Sequence, residues 1–311
     1  MKAMRIHDYG GPEEMQYEDV PQPRPQDGEV LVRAHAASVN PVDWKVRDGA
    51  LREPLPLNLP IILGGDFSGI VETVGSGVAG FYPGMAVFGM TSTPGYRRGA
   101  FAEYVAVRAV DIARMPETLD HANAAAVPLA GLTAWQALFD VGDLRRGQKI
   151  LIHAGAGGVG GFAIQFAREA GAHVITTTSA ANTDYVRRLG ADDVIDYRIT
   201  RFEQVVGDLD MVLDLIGGET QSRSYDVLRP GGVLVNAWGA IMKERADAAG
   251  VRGVKVAVTA NGAQLAHIAG LIDSGRVGTS IGKIFPLAEA AAAFELSKTG
   301  HVRGKIVLTM T

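Results

Sequence analysis

Lys149-Ile-Leu-Ile-His-Ala-Gly-Ala-Gly-Gly-Val-Gly160 is the stretch whose reading decides the fold. Ile150, Leu151 and Ile152 form a short apolar run that reads as a buried strand. Gly155, Ala156, Gly157, Gly158, Val159 and Gly160 follow as a G-x-G-x-x-G string. Gly161-Phe-Ala-Ile-Gln-Phe-Ala-Arg-Glu-Ala170 then carries a helical pattern and ends at Gly171. Strand, glycines and helix in that order specify a dinucleotide-binding turn far better than the glycines alone. Gly155 suits a tight turn, Gly157 a close approach of backbone to a pyrophosphate, and Gly160 close packing of helix on strand. The helix N-terminus then presents N–H groups and a positive dipole end to phosphate. A plain strand-to-helix turn with no ligand is the alternative.

Downstream, helical and strand patterns alternate. Strands are expected at His173–Thr178, 193–196, 210–215, 232–236 and 254–258. Helices are expected at Thr183–Leu189, 220–228 and 264–272. Repeated β-α-β units imply a doubly wound parallel sheet, with ligands at the carboxyl ends of its strands. Upstream, helical patterns at 122–129 and 133–139 are preceded by a Pro- and Gly-punctuated region. Strand alternation shows there at 29–36, 69–74 and 102–108. The tail gives a helix over 287–296 and a strand over 304–308, suited to rejoin the first sheet. The fold class is therefore α/β, a Rossmann sheet joined to a β-rich domain.

Composition narrows the function. The chain has 311 residues, 47% hydrophobic, and a formal charge of −4. That balance gives no electrostatic case for nucleic acid or anionic membrane. No apolar run is long enough to span a bilayer and no signal-peptide pattern opens the chain, so a cytoplasmic location is expected. Cysteine is absent, which removes disulfides, thiolate metal ligands and a Cys nucleophile.

Gly147-Gln148, Ala154–Gly160, Gln165 and Arg168 resemble the quinone oxidoreductase signature of the medium-chain dehydrogenase/reductase superfamily. Ala37-Ser-Val-Asn40-Pro-Val-Asp43, Gly65-Asp-Phe-Ser-Gly-Ile-Val-Glu-Thr-Val-Gly75, Gly99–Val105, Ala125–Ala134 and Arg303-Gly-Lys-Ile-Val307 resemble its other motifs, in the right order. The resemblance implies a GroES-like catalytic domain from residues 1–121 and 276–311. It implies a Rossmann domain from residues 122–275, and an active-site cleft between the two. Zinc-dependent relatives use a Cys, a His-Glu pair and a second Cys. Here Asn40 stands at the first Cys position, Gly65 at the His position, and no metal site is expected. His35, His121 and His153 lack ligand spacing, and Asp66 with Glu72 would make a poor zinc site. Without a Lewis acid, a quinone or α,β-unsaturated carbonyl is the easier hydride acceptor, because its negative charge delocalises.

The resemblance also names residues. Asn40 would lie near nicotinamide and substrate, its amide donating to a carbonyl oxygen, or would simply be a turn Asn. Asp43 would orient Lys45 or a water, or cap the next helix. Thr133 would meet the nicotinamide ribose, or be an N-cap. Trp238-Gly239 and Thr259-Ala-Asn261 would meet the carboxamide, unless Trp238 is core. Arg303 and Lys305 would reach the phosphates, or be surface charge.

The second strand ends Thr178-Ser179-Ala-Ala-Asn182, with no acid before Asp184. An NAD site usually places a carboxylate there, on the ribose 2′-hydroxyl. In the NADPH-dependent enzymes the chain resembles, a small polar residue, a Lys and a Tyr hold the 2′-phosphate; Ser179 and Tyr197 match the first and last, Asn182 stands where the Lys is expected, and Arg187 is a further phosphate candidate. NADPH is therefore the expected cofactor, a quinone or enone the expected substrate, and a homodimer the expected assembly. An enoyl-thioester reductase, with Arg97-Arg98 as its basic loop, and a non-enzymatic NADPH-binding protein are the alternatives.

Overall fold

The computed structural model describes residues 1–53, 56–91 and 99–310. Arg97 and Arg98 lie outside them. The chain divides into two compact units, Met1–Leu132 with Thr259–Thr311, and Thr133–Val258.

The first unit is built on Glu29–Val39, an eleven-residue strand. Its Val30, Leu31, Val32, Ala34, Ala36, Ala37 and Val39 are buried. Asp66–Val74 pairs antiparallel along its length, with two register shifts. The C-terminal strand Lys305–Thr309 pairs antiparallel with its second half. Tyr104–Arg108 pairs with its first half. Ile281–Pro286, Ala86–Met90 and Ile112–Arg114 complete a seven-stranded sheet. Lys2–Ile6, Met15–Asp19 and the two-residue Ile61–Ile62 form a smaller sheet. Ile6, Leu63, Phe101, Phe294 and Leu308 anchor one core cluster, and Val30, Phe67, Val87 and Val105 another. Ile281–Pro286 escapes a sequence reading because its middle residues are exposed.

The second unit carries a six-stranded parallel sheet. From edge to edge the strands are Asp193–Asp196, His173–Thr178, Lys149–Ile152, Leu209–Asp214, Leu228–Asn236 and Arg252–Lys255. Numbered by chain position this is the order 3-2-1-4-5-6 of a dinucleotide-binding sheet. The order reverses between Lys149–Ile152 and Leu209–Asp214, which fixes the switch point at their carboxyl ends. Leu151, Val212, Leu234, Tyr225 and Phe202 form its core.

Several boundaries differ from expectation. The pattern over 122–129 is two helices, His121–Ala125 and Pro128–Trp135, because Pro128 starts a helix and disfavours helix before it. A π-helical turn, Gln136–Val141, continues the second. The helix after the glycine motif begins at Gly158 rather than Gly161. Leu228 belongs to a strand and Arg252–Lys255 replaces 254–258. Residues 122–132 and 259–275 group with the β-rich unit. Ala125 and Ala126 pack against Ala36 and Val307 there, and the helix Gly262–Asp273 lies against Ile112–Arg114.

Candidate functional site

The glycine motif divides its labour among its residues. Ile150, Leu151 and Ile152 are fully buried, so the strand is fixed on both faces. The chain then turns at Ala154, whose φ of 54° is left-handed. The tight turn expected of Gly155 is thus made one residue earlier, by a residue with a Cβ. Gly155 is needed for space: a Cβ there would meet Thr176 Oγ1 at 2.0 Å. Gly160 is needed likewise, since its Cβ would fall 2.3 Å from the Ala154 carbonyl oxygen.

Gly157 differs from both. It is the N-cap of the twelve-residue helix Gly158–Glu169, with φ −77° and ψ 175°. A Cβ there would touch only the Ala154 carbonyl, at 3.4 Å. Neither packing nor backbone strain demands glycine at this position. Its absent side chain leaves open the approach to the helix's first N–H groups, which have no partners within the helix. That is a cradle for a phosphate.

The surrounding strand ends converge on the same edge of the sheet. Thr177 Oγ1 accepts from Ala154 N at 3.3 Å and lies 3.1 Å from His153 Nδ1. The other ring nitrogen of His153 is 3.0 Å from Ser224 Oγ. Burial pushes His153 down to about 4, so its imidazole is neutral near neutral pH. Asp214, fully buried, accepts from Ile216 N and Gly217 N at 2.9 Å each and from Asn236 Nδ2 at 2.7 Å. Its carboxylate fixes the loop at the switch point. Trp238, 39% exposed, is not core. Gly239 beside it has a left-handed φ of 96°.

Four buried polar side-chain atoms on this unit have no hydrogen-bond partner among the described residues: Thr133 Oγ1, Asn236 Oδ1, Arg223 Nε and Arg245 Nε. Leaving such an atom unsatisfied costs about 1–3 kcal/mol. Thr133 lies within the helix Pro128–Trp135 and is therefore no N-cap.

Thr178 ends its strand buried, and its carbonyl accepts from Tyr197 N at 3.2 Å. Asn182 Nδ2 reaches Ser179 Oγ at 3.4 Å. Tyr197 and Arg187 are exposed. Sequence reasoning missed Asp196, which caps the neighbouring strand. Its Oδ2 accepts from Ala180 N at 3.2 Å and its Oδ1 from Arg198 N at 3.0 Å. A carboxylate therefore does stand by this turn, brought there by parallel pairing of Thr178 with Asp196. Both its oxygens are engaged by backbone N–H groups.

The remaining candidates lie in the β-rich unit. Asn40 caps the helix Pro41–Arg47 in a reciprocal capping box with Asp43, whose carboxylate accepts from Asn40 N at 2.7 Å. Asp43 thus takes its capping role. The Asn40 amide is committed internally: Nδ2 donates to Asp66 Oδ2 at 2.9 Å, and Oδ1 accepts from Lys305 Nζ. The same interactions turn Lys305 inward, correcting the expectation that it reaches phosphates. Asn261 caps the helix Gly262–Asp273 through a 3.0 Å bond from Gln264 N. Thr259 precedes it, and Arg303 is exposed. Lys45 is half-buried, and burial lowers it to about 8.

Among the described residues no group of three His, Cys, Asp or Glu side chains is placed to hold a metal ion. No helix among them is long and apolar enough to cross a membrane.

A family described as "Alcohol dehydrogenase GroES-like domain" matches residues 26–117, and one described as "Zinc-binding dehydrogenase" matches 189–308. A mitochondrial NAD(P)H oxidoreductase of Mus musculus is 34% identical, over 91% of this chain and 82% of its own length. An NADPH-dependent alkenal/one oxidoreductase of Arabidopsis thaliana chloroplasts is 34% identical, over 99% of this chain and 79% of its own. The solved quinone oxidoreductase of Coxiella burnetii superposes with a TM-score of 0.92 at 36% identity, covering 100% of this chain and 99% of that one. With these likenesses along its whole length, the chain belongs to the zinc-independent quinone oxidoreductase group of the medium-chain dehydrogenase/reductase superfamily.

Proposed function

We propose that this protein uses NADPH to reduce a quinone or an α,β-unsaturated carbonyl compound, without a metal ion. The observation that carries the reading is the glycine loop, where packing demands Gly155 and Gly160 but a Cβ on Gly157 would meet only the Ala154 carbonyl oxygen, at 3.4 Å. The first N–H groups of Gly158–Glu169 would hold the pyrophosphate, and the Thr133 hydroxyl would gain the partner it lacks. When bound, the reduced nicotinamide supplies a hydride to the acceptor's electron-poor carbon. The protein's tasks are then to orient the two partners and exclude water.

NADPH over NADH rests on the same unit. Ser179, Asn182 and Tyr197 offer hydroxyl and amide groups at the end of the second strand. Asp196, the carboxylate beside them, is held by two backbone N–H groups. Its charge is thereby partly offset where a 2′-phosphate would approach. The relative named for alkenal and enone reduction is named NADPH-dependent.

Reduction of the acceptor also consumes a proton. Lys45, at about 8, would be largely protonated at neutral pH yet able to release that proton. Asn40 and Asp43 hold its helix in place through their capping box. As a dimer, two copies would meet along Arg252–Lys255, one of the two edge strands of the six-stranded sheet.

The test is a titration of NADPH and NADH followed by fluorescence, then turnover with a simple quinone and a simple enone. NADPH should bind at least about tenfold tighter, a difference of about 1.4 kcal/mol. Ser179→Asp should erase that preference. Equal affinity for the two cofactors in the unmodified protein contradicts the specificity, and absence of hydride transfer to both acceptor classes contradicts the reaction. Light scattering that shows a monomer at micromolar concentration contradicts the dimer.

A further inference from the structure

His153 follows the strand Lys149–Ile152, leads into the glycine loop and is buried. The atoms at its two ring nitrogens decide where its proton lies. Ser224 Oγ donates its one proton to the Thr220 carbonyl, at 2.7 Å. It therefore has only lone pairs for His153 Nε2, 3.0 Å away, so Nε2 carries a proton and donates it. A neutral imidazole then has a lone pair at Nδ1, which accepts from Thr177 Oγ1 at 3.1 Å. Thr177 Oγ1 keeps its own lone pairs for the Ala154 N–H, at 3.3 Å. Every proton in the chain from Ala154 to Thr220 is thereby assigned by its partners. The ring is also covered edge-on by Phe202, with centroids 4.7 Å apart. Burial and Arg223 keep the imidazole uncharged, against the pull of Asp214 and Glu203.

Thr177 holds the turn twice. Its hydroxyl accepts from Ala154 N, and its carbonyl accepts from Gly155 N at 3.1 Å. Ala154 is the residue with the left-handed φ of 54°. That conformation costs a residue with a Cβ about 1–2 kcal/mol, so the turn needs bonds from outside itself. An imidazolium would reverse the chain. Its Nδ1 proton would point at Thr177 Oγ1, and the hydroxyl proton would lose its acceptor in a buried site.

We propose that His153 is a positioning residue of the cofactor turn: its uncharged ring, protonated on Nε2, orients the Thr177 hydroxyl to hold Ala154, and so aims the first N–H groups of Gly158–Glu169 at the pyrophosphate. The proposal rests on the dinucleotide reading of the glycine loop. The same chain ties that loop to the helix Gly218–Ser224, which follows the strand Leu209–Asp214. Both sides of the switch point therefore share one line of hydrogen bonds.

The experiment titrates NADPH by fluorescence into the unmodified protein, His153→Gln, His153→Asn, Thr177→Val and the double variant of His153→Gln with Thr177→Val. A thermal melt accompanies each. An Asn amide reaches the Nδ1 position and can accept from Thr177, whereas a Gln amide reaches the Nε2 position and serves only Ser224. His153→Gln and Thr177→Val should each bind NADPH at least about tenfold more weakly, the equivalent of one hydrogen bond. His153→Asn should stay within about threefold of the unmodified protein. The double variant should bind no more weakly than Thr177→Val, because His153 acts through Thr177. Nitrogen-15 NMR of labelled histidine, with His153 identified by its loss in a variant, should show a proton on Nε2 and none on Nδ1 from about pH 7 to about pH 5. Thr177→Val and this spectrum test the chain of bonds even if a His153 variant does not fold. A proton on Nδ1, additive losses in the double variant, or undiminished NADPH affinity in folded His153→Gln or Thr177→Val overturns the proposal and leaves the cofactor reading intact. Absence of NADPH binding by the unmodified protein overturns both.

Discussion

The glycine loop of the Rossmann unit and the buried ammonium network of the β-rich unit solve opposite problems. On the proposed reading, the loop prepares for a charge that arrives from outside. It does so with backbone N–H groups and with a missing side chain at Gly157. The network keeps its charges inside and satisfies them, with Lys305, Asp66, Asn40 and Ser38 bonded to one another. The helix's first N–H groups have no partners within the helix and suit a ligand, whereas the bonded network is a scaffold. The difference teaches that the same chemistry, charge met by hydrogen bonds, reads as function or as structure according to whether its partners are already present.

The largest effects should separate the glycines. Gly155→Val and Gly160→Val force contacts of 2.0 and 2.3 Å with neighbouring atoms. Both should lose more than about 4 kcal/mol of stability or fail to fold, the range reserved for severe overpacking or strain. Gly157→Val should melt near the unmodified protein yet bind NADPH at least about a hundredfold more weakly. That is the loss of two charge-assisted hydrogen bonds at about 1.5 kcal/mol each or more. Thermal melts beside NADPH titrations check this. Uniform destabilisation at all three positions would erase the distinction between packing glycine and ligand glycine.

The network is tested by breaking it from one side. Asp66→Ala strands a buried ammonium and should cost about 3–5 kcal/mol in urea unfolding. Adding Lys305→Met should recover much of that loss, because no uncompensated charge then remains. A double variant as unstable as the sum of the single ones would mean that the two residues act separately.

Acid should weaken the Rossmann unit. His153 has a folded value of about 4, below the ordinary value near 6.5 in an unfolded chain. The unfolded chain therefore takes up a proton first as pH falls. The stability is present above pH 6.5 and is lost on the way down to pH 4, by up to about 3 kcal/mol. His35 and His121 of the β-rich unit, stacked with ring centroids 4.3 Å apart, are also lowered by burial, so acid should weaken that unit as well. Urea midpoints across that window check the sign; a midpoint that rises on acidification contradicts it.

The smallest expected effect is at Ala154. Its φ of 54° is unfavourable for a residue with a Cβ. Ala154→Gly should raise stability by about 0.5–1 kcal/mol, once glycine's greater freedom in the unfolded chain is counted. A loss of stability would show that the alanine methyl packs usefully in the loop.

The same contrast explains what the sequence made legible. The glycine motif fits into twelve consecutive residues, so local spacing revealed strand, turn and helix, and the parallel sheet followed from β-α-β repetition. Assigning roles within the motif needed contacts: the atoms that crowd Gly155 and Gly160 come from Thr176 and from the turn itself. Asp196 was invisible because it meets Ala180 only through pairing of neighbouring strands. The network joins residues 38, 40, 66, 129 and 305, and no periodicity links positions so far apart. Lys305 therefore read as a solvent-facing charge free to reach a phosphate, whereas the sheet turns it inward.

The central claim is that hydride passes from NADPH to a quinone or enone with no metal ion taking part. The most direct measurement follows NADPH oxidation with a simple quinone, using protein dialysed against a strong chelator and checked for metal by elemental analysis. The account predicts undiminished turnover in the metal-free protein, with no stimulation by added zinc. Turnover that disappears with the metal and returns with zinc would contradict it.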